Sequence, residues 1–438
     1  MVKKVAIVGA GASGVLLAHY LLRRGSRYQV DLYDRLSDPR IIEFSNARTF
    51  PISLTERGMN ALGRIAGLET AVRAIGLEMS GTIFHQQNGK TRVKSRQKPL
   101  VTLDRTNLVI TLLDELTEQY DNSRLNLHFD RACTTVDFAA KMITFQNIDP
   151  TATDLTVGYD LLIGADGARS VVRSYFLNTE LFEFEQKYVP TDYKSIILPR
   201  PDRSLDFDLE LGKIHSWRSD DGTFVVLLHQ PDGSMSGVIL FPRHNQEVAN
   251  LTTPEQVQQF FHKRFPEVGQ MMPASEAAAF LARSPSRILT IRCNRYHHGD
   301  SVLIIGDAAH SVSPSIGQGC NAALEDVAIL DGLLDEYTDD WAEAIAQFTL
   351  RRQADAHALV ELGDYSFPSS SGLFIEFVLR EQLATTLHQM FPDRFSPSLS
   401  ELVFESSVPY SEILDSYQGW ISKVKKHSQK SHFMEKQF

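Results

Sequence analysis

Residues 9–14 read Gly-Ala-Gly-Ala-Ser-Gly, directly after the apolar run KKVAIV at 3–8 and directly before VLLAHYLLRR. Gly25 follows, and YQVDLYDR at 28–35 reads as a second strand. This spacing predicts strand, glycine turn, helix to about Arg24, and strand: the opening of a dinucleotide-binding unit. Gly9 permits the tight turn. Gly11 lets a pyrophosphate approach bare backbone, and Gly14 lets helix and strand pack closely. Ala12 and Ser13 complete the turn. Asp34 stands twenty residues after Gly14, at the end of the second strand. A carboxylate there can accept both hydroxyls of an adenosine ribose. Arg35 beside it is grouped with the cofactor candidates, although an acid at this place disfavours a 2′-phosphate and a solvated strand end suits an arginine.

A second stretch points to the same ligand. Residues 302–326, VLIIGDAAHSVSPSIGQGCNAALED, predict a buried strand, a turn at Gly306-Asp307, and a glycine bend at 317–319 before a helix. Asp307 at the strand end suits a sugar or polyol hydroxyl. The bend at Gly317 and Gly319 exposes backbone N–H groups to something electron-rich. A third stretch, YDLLIGADGARSVVRSYF at 159–176, repeats the pattern with Asp166 at the strand end and a following helix that carries Arg169 and Arg173.

The remaining composition mainly excludes. A net charge of −10 argues against nucleic acid as a main partner. Cys133, Cys293 and Cys320 are far apart, with neither disulfide nor zinc spacing. His297-His298 lack a nearby Cys, Asp or Glu at ligand spacing, and a surface loop is the expectation. No apolar run approaches the roughly 18 residues of a membrane span. The lysines before the first apolar run imitate a signal peptide, but the glycine turn interrupts it. A cytoplasmic protein is expected, of unknown oligomeric state.

The expected fold class is α/β. It has a Rossmann-like cofactor domain in two parts (1–177 and 289–365), an inserted antiparallel-sheet substrate domain (178–288), and a C-terminal helical segment with a basic tail (366–438). The insert is read from long alternating runs at 193–199, 213–219, 223–230 and 235–243, with Asp221-Gly222 and Asp232-Gly233 as hairpin turns. A single helix is expected over 55–76, a hairpin around Asn88-Gly89, and helices over 322–336, 340–362 and 374–390. From Lys423 the tail lacks apolar periodicity and is expected to be solvated. Arg105 lies at a predicted helix start, where a phosphate-facing role is favoured.

Taken together, GAGASG, GADGARS at 164–170 and GDAAHSVSPSIGQGCN at 306–321 resemble the class A flavin-dependent monooxygenases, the aromatic hydroxylases. Within these the resemblance runs to the kynurenine 3-monooxygenases, through SLTERGMNAL at 53–62, DRTNL at 104–108, HSW at 215–217 and VPYSE at 408–412. It implies FAD as cofactor and NAD(P)H as co-substrate, without a second nucleotide domain. It implies hydroxylation of a small aromatic by O2 through a flavin C4a-hydroperoxide. It also implies that Arg48 and Ser53 lie near the flavin, Arg105 near its phosphates, and Cys133 at the adenine end. Asp307 would hold the ribityl chain, and Gly317, Gly319, Cys320 and Asn321 would border the ring. Asp166 and Arg169 would support the site.

Departures from the family pattern fall where substrate is expected. Thr82 stands where the kynurenine enzymes carry a carboxylate-gripping arginine. No tyrosine occurs between Tyr33 and Tyr120. Asp364 replaces a helical asparagine, Leu399 a late tyrosine, and Ser315-Ile316 follow Pro314 where relatives are aromatic. A buried anion without its arginine is costly. The expectation is therefore a neutral or cationic aromatic, with Asp364 as partner for an amine, rather than kynurenine. Val226, Leu228 and Met235 are expected to form an apolar wall edged by Pro314, and His215 and His229 are acid–base candidates. The alternatives are a kynurenine enzyme with altered carboxylate binding, or a flavin-binding protein that oxygenates nothing. A halogenase is discounted, because Trp217, Trp341 and Trp420 are too scattered for its tryptophan motif.

Overall fold

Among the described residues, seventeen strands, numbered along the chain, form three sheets in a computed structural model. It describes residues 2–42, 51–86, 88–149, 153–200, 209–243, 245–368 and 370–435, with backbone alone at 371 and from 429. The central sheet contains β1 (Lys3–Val8), β2 (Tyr28–Tyr33), β6 (Leu125–His128), β10 (Leu161–Gly164) and β17 (Val302–Ile304), with the short β16 (His297–His298) antiparallel at one edge. The order is β16-β17-β10-β1-β2-β6, and all pairings except β16–β17 are parallel. Such strands are covered on both faces, which explains their continuous apolar runs. In register, Val8 lies beside Gly164 and Gly164 beside Ile304. The three glycine turns of the sequence thus leave the sheet together, at the carboxyl ends of neighbouring strands, where open α/β sheets bind ligands.

The second sheet has eight strands in the order β15-β11-β14-β13-β12-β4-β5-β3. These are β3 (Pro51–Leu54), β4 (Leu77–His85), β5 (Thr91–Asp104), β11 (Phe184–Leu198), β12 (Ile214–Arg218), β13 (Phe224–His229), β14 (Met235–Pro242) and β15 (Ser286–Cys293). It is not confined to 178–288. The hairpin β4–β5 adds to it through a parallel pairing of β4 with β12, Thr82 beside Ile214. One face of this sheet buries Trp217, Val225, Leu227, Ile239 and Phe241 against the helices Pro254–Arg264, Pro266–Met271 and Ala274–Ala282. The other face looks into a large cleft. A small sheet of β7 (Arg131–Asp137), β8 (Met142–Asn147) and β9 (Leu155–Gly158) packs beside the first.

Two helical expectations change. The run 55–76 forms two helices, Glu56–Gly63 and Leu68–Ala74, because Gly67 adopts a left-handed φ of 81° between them. The tail is not a solvated coil from Lys423. Tyr410–Glu435 is one helix, with Trp420, Ile421 and Val424 buried against Trp341–Tyr365 and Lys423 and Lys425 paired to Glu376 and Glu361. Among the described residues no helix is long and apolar enough to cross a membrane.

Candidate functional site

One cleft of about 2680 Å3 joins the three glycine turns to the open face of the second sheet. Ligand sites for single small molecules run to roughly 300–1,000 Å3, so this one has room for a dinucleotide and a further ligand.

The first turn is shaped by contact on two sides and left bare on the third. Gly9 has φ 110°, and a Cβ there would lie 2.3 Å from the Ala165 carbonyl oxygen. A Cβ on Gly14 would lie 2.0 Å from the Gly9 carbonyl oxygen. At Gly11 a Cβ would meet nothing within 4 Å, and Gly11, Ala12 and Ser13 line the cleft. The helix Ala12–Leu22 starts here without a side-chain cap, so its first N–H groups face open space. This cradle suits a pyrophosphate. Asp34, half-buried, accepts from the N–H groups of Ala10 (2.7 Å) and Leu36 (2.8 Å), while Arg35 is exposed.

The turn after β10 uses Asp166 to cap a helix. Its Oδ2 accepts from Val171 N–H (2.7 Å), and its Oδ1 is buried without a partner. Burial pushes this carboxyl up. Asp166 itself does not line the cleft, whereas Arg169 does. Cys133 sits on β7 away from the cleft, and burial pushes its thiol to about 12. Arg48 lies outside the described residues.

The third turn rests on a buried ionic network. Asp326 is fully buried, and its Oδ2 accepts from Gly306 N–H (2.8 Å) and pairs with His310 Nε2 (2.6 Å). Its Oδ1 accepts from Arg352 Nε (2.6 Å). Burial works against the Asp326 carboxylate, but His310 and Arg352 outweigh it and hold the carboxyl below the usual range. Arg352 also lies 2.9 Å from Glu325, at ion-pair distance without hydrogen-bond alignment. Glu325 in turn accepts from Arg57 (2.8 Å), whose guanidinium lies 4.1 Å from the centre of the Tyr410 ring. The Tyr410 hydroxyl donates to Gln318 Oε1 (3.0 Å). The C-terminal helix therefore braces the glycine bend.

Asn321 is buried rather than cleft-facing. It accepts from Thr55 N–H (2.8 Å) and donates to the carbonyls of Ser53 (2.9 Å) and Gly317 (3.2 Å), tying β3 to the bend. Ser53, Arg105, Asp307, Gly317, Gly319 and Cys320 line the cleft. Asp307 is accessible by area yet densely enclosed by protein, because the surface it exposes is cleft wall. That enclosure pushes its carboxyl up, and Arg105 opposes the shift.

On the sheet side Thr82, Val226, Leu228, Pro314, Ser315, Ile316 and Asp364 line the cleft. Met235 does not. It pairs with His229 while Leu228 pairs with Ser236, so register turns Met235 and His229 to the opposite face, where Met235 is fully buried. His215 is buried in a stack with His85 and Trp217. Its Nδ1 is 3.0 Å from His85 Nε2 and its Nε2 is 3.1 Å from the Glu210 carbonyl, so it does not line the cleft. Burial pushes His85 down to about 4. Asp364 is engaged on one side only: Lys187 Nζ lies 3.2 Å from its Oδ2, while its Oδ1 is buried without a partner. Burial raises its carboxyl and Lys187 opposes.

Arg96 on β5 was missed. It lines the cleft and reaches Thr82 Oγ1 at 3.5 Å, the limit of a hydrogen bond. The alternation Arg92, Lys94, Arg96 along a strand was the available signal.

Residues 3–362 match the family model described as FAD binding domain. The chain belongs to this family of class A flavin-dependent monooxygenases. FAD is its cofactor, and the bare Gly11 turn and uncapped helix start fit it. Kynurenine 3-monooxygenase of Drosophila willistoni is 31% identical over 420 residues, 94% of this chain and 89% of the relative. Among solved structures, 2-methyl-3-hydroxypyridine-5-carboxylic acid oxygenase has the same fold (TM-score 0.69, 18% identity, 83% of this chain and 91% of that one). So does Klebsiella pneumoniae HpxO complexed with FAD and uric acid (TM-score 0.65, 18% identity, 97% and 94%).

Proposed function

We propose that this protein hydroxylates a small aromatic substrate other than kynurenine, consuming NAD(P)H and O2. One observation carries the reading: the dinucleotide turns and an apolar sheet face line the same cleft. FAD, held by these turns, would supply the redox chemistry, accepting a hydride from NAD(P)H and activating O2. The balance is ArH + NAD(P)H + H+ + O2 to ArOH + NAD(P)+ + H2O.

The chain's own residues bind, orient and exclude water. The Gly11 turn and the helix start receive the pyrophosphate, with Asp34 toward the adenosine ribose. Arg35 is solvent-facing and adds no contact of its own. Arg105 and Asp307 hold the phosphate and polyol portions, with Ser53, Gly317, Gly319 and Cys320 around the ring and Arg48 as a further candidate. Ile214, Val226 and Leu228 form the dry wall against which an aromatic ring packs. Asn321 and Gln318 shape the bend from beneath.

Substrate choice rests on Thr82 and Ile316, which line the cleft. Thr82 offers one hydroxyl where the resemblance places an arginine, and a hydroxyl cannot grip a carboxylate bidentately. Ser315, also in the cleft lining, donates to the Gly363 carbonyl (2.5 Å) and is not free for substrate. The test is substrate-stimulated NAD(P)H oxidation by the yellow holoprotein across kynurenine, aromatic acids, amines and indoles, with mass analysis of products. A product heavier by one oxygen is expected from a compound other than kynurenine. NAD(P)H consumption that yields only H2O2 across the panel refutes hydroxylation. Kynurenine emerging as the best substrate refutes the substrate assignment.

A further inference from the structure

We propose that Arg96 forms an anion-binding end of the substrate cleft, so that the preferred substrate carries a carboxylate or similar planar anion on its aromatic framework. This rests on the cleft being the substrate site of an aromatic hydroxylase. It reverses the expectation of a neutral or cationic substrate, and the exclusion of kynurenine then rests on where the grip stands, at Arg96 on β5 instead of at position 82, and not on the lack of one.

The inner face of β5 presents Arg92, Lys94 and Arg96 to the cleft, while Thr91, Val93 and Ser95 are exposed between them. Lys94 is neutralised by Glu381 at 2.9 Å. Arg96 makes no ion pair among the described residues. Its Nε is buried without a partner, and its Nη2 has only the long contact to Thr82. The guanidinium lies 4.8 Å from the centre of the Phe404 ring, a contact that satisfies none of its N–H donors. Glu405 acts on it through charge without forming an ion pair. Its Oε2 accepts from the backbone N–H groups of Gln97 (2.9 Å) and Lys98 (3.3 Å) and is committed to the strand.

Burying a guanidinium with open donors is costly unless an anion completes it. The fork of an arginine matches a carboxylate, which then supplies two charge-assisted hydrogen bonds. Two further cations of the cleft are engaged. Lys187 pairs with Asp364, and Arg218 donates to the Pro368 carbonyl at 3.1 Å and stacks on Phe374. Thr82 is the diagonal cross-strand neighbour of Arg96, since it pairs directly with Lys94. An anion held there leaves its ring against Ile214 and Leu228 on the adjoining strands, which line the same cleft.

Isothermal titration of the FAD holoprotein with benzoate and benzamide at neutral pH tests this without turnover. Benzoate is expected to bind at least about tenfold more tightly, as charge-assisted contacts supply. Arg96→Met is expected to bring benzoate to the affinity of benzamide, and Arg96→Lys to keep part of the preference. Equal affinities in the wild type, including no detectable binding of either, overturn the proposal. So does a preference that survives in a folded Arg96→Met protein. Should Arg96→Met fail to fold, Arg96→Lys decides, and an undiminished preference there counts against the fork. The two readings fail separately. A benzoate preference without any hydroxylated product removes the monooxygenase reading and leaves the anion site. Hydroxylation without the preference does the reverse.

Discussion

Replacing Arg352 with methionine is expected to destabilise the protein by about 3–5 kcal/mol, the range for stranding one member of a buried ion pair. The structure sets the size. Asp326 and Arg352 are both fully buried, and Arg352 Nε is the only partner described for Asp326 Oδ1. Its removal leaves that oxygen bare and also takes one cation from Glu325, which keeps Arg57. Oδ2 retains Gly306 N–H and His310, so the carboxylate stays put and pays in full for lost solvation. Urea unfolding followed by circular dichroism measures the loss, and flavin fluorescence reports whether the Gly306 turn releases FAD earlier. The double variant Asp326→Asn with Arg352→Met should recover more than half of the deficit, because no stranded charge remains. In the wild type the Asp326 carboxyl is depressed, so its stabilisation is complete above the unfolded pKa and is lost as pH falls through the folded one. Without Arg352 the carboxyl rises, so the deficit should be largest at neutral pH and shrink on acidification. A single variant within about 1 kcal/mol of wild type, or a double variant as unstable as the sum of the singles, refutes the reasoning.

The two ends of the first glycine turn should separate in opposite ways. Gly11→Ala is expected to leave apoprotein stability within about 0.5 kcal/mol while weakening FAD binding, whereas Gly14→Ala should lower apoprotein Tm, since its Cβ meets the Gly9 carbonyl oxygen at 2.0 Å. Thermal melts with and without added FAD distinguish them. Tyr410→Phe strands Gln318 Oε1, whose amide nitrogen is already buried without a partner, and should cost about 1–3 kcal/mol together with faster flavin loss in a dilution assay. Met235→Ala should cost about 2–5 kcal/mol by chemical denaturation while leaving substrate KM unchanged, because the side chain lies on the far face of the sheet.

What was legible in the chain was local. The spacing of Gly9, Gly11, Gly14 and Asp34 specifies its own strand–turn–helix–strand, and Asn88-Gly89 marks the β4–β5 hairpin within a few residues. The meeting of three strand-end turns at one sheet edge followed from their common pattern. Long-range pairing left no such trace: nothing within 77–85 announces that β4 will lie parallel to β12. Met235 was misassigned because the face of a strand depends on hairpin register, and one residue of slip inverts it. The tail was misread because its buried positions are spread thinly among lysines, and tertiary packing against Trp341–Tyr365 overrides a weak period. Arg96 was visible in the β5 alternation, but only the fold shows that Lys94 beside it is paired with Glu381 while Arg96 keeps a buried, unpartnered Nε.

The parallel junction of β4 with β12 also sets a timetable. His85 and His215, which meet across it, are 130 residues apart. At a synthesis rate of about 5–20 residues per second, the inner edge of the β4–β5 hairpin emerges roughly ten seconds before its partner strand exists. Through that interval the edge is an open template for foreign strands. Assembly of the substrate wall is thus a late, non-local event in the life of each molecule, and a chaperone that shields strand edges should raise the yield of yellow protein.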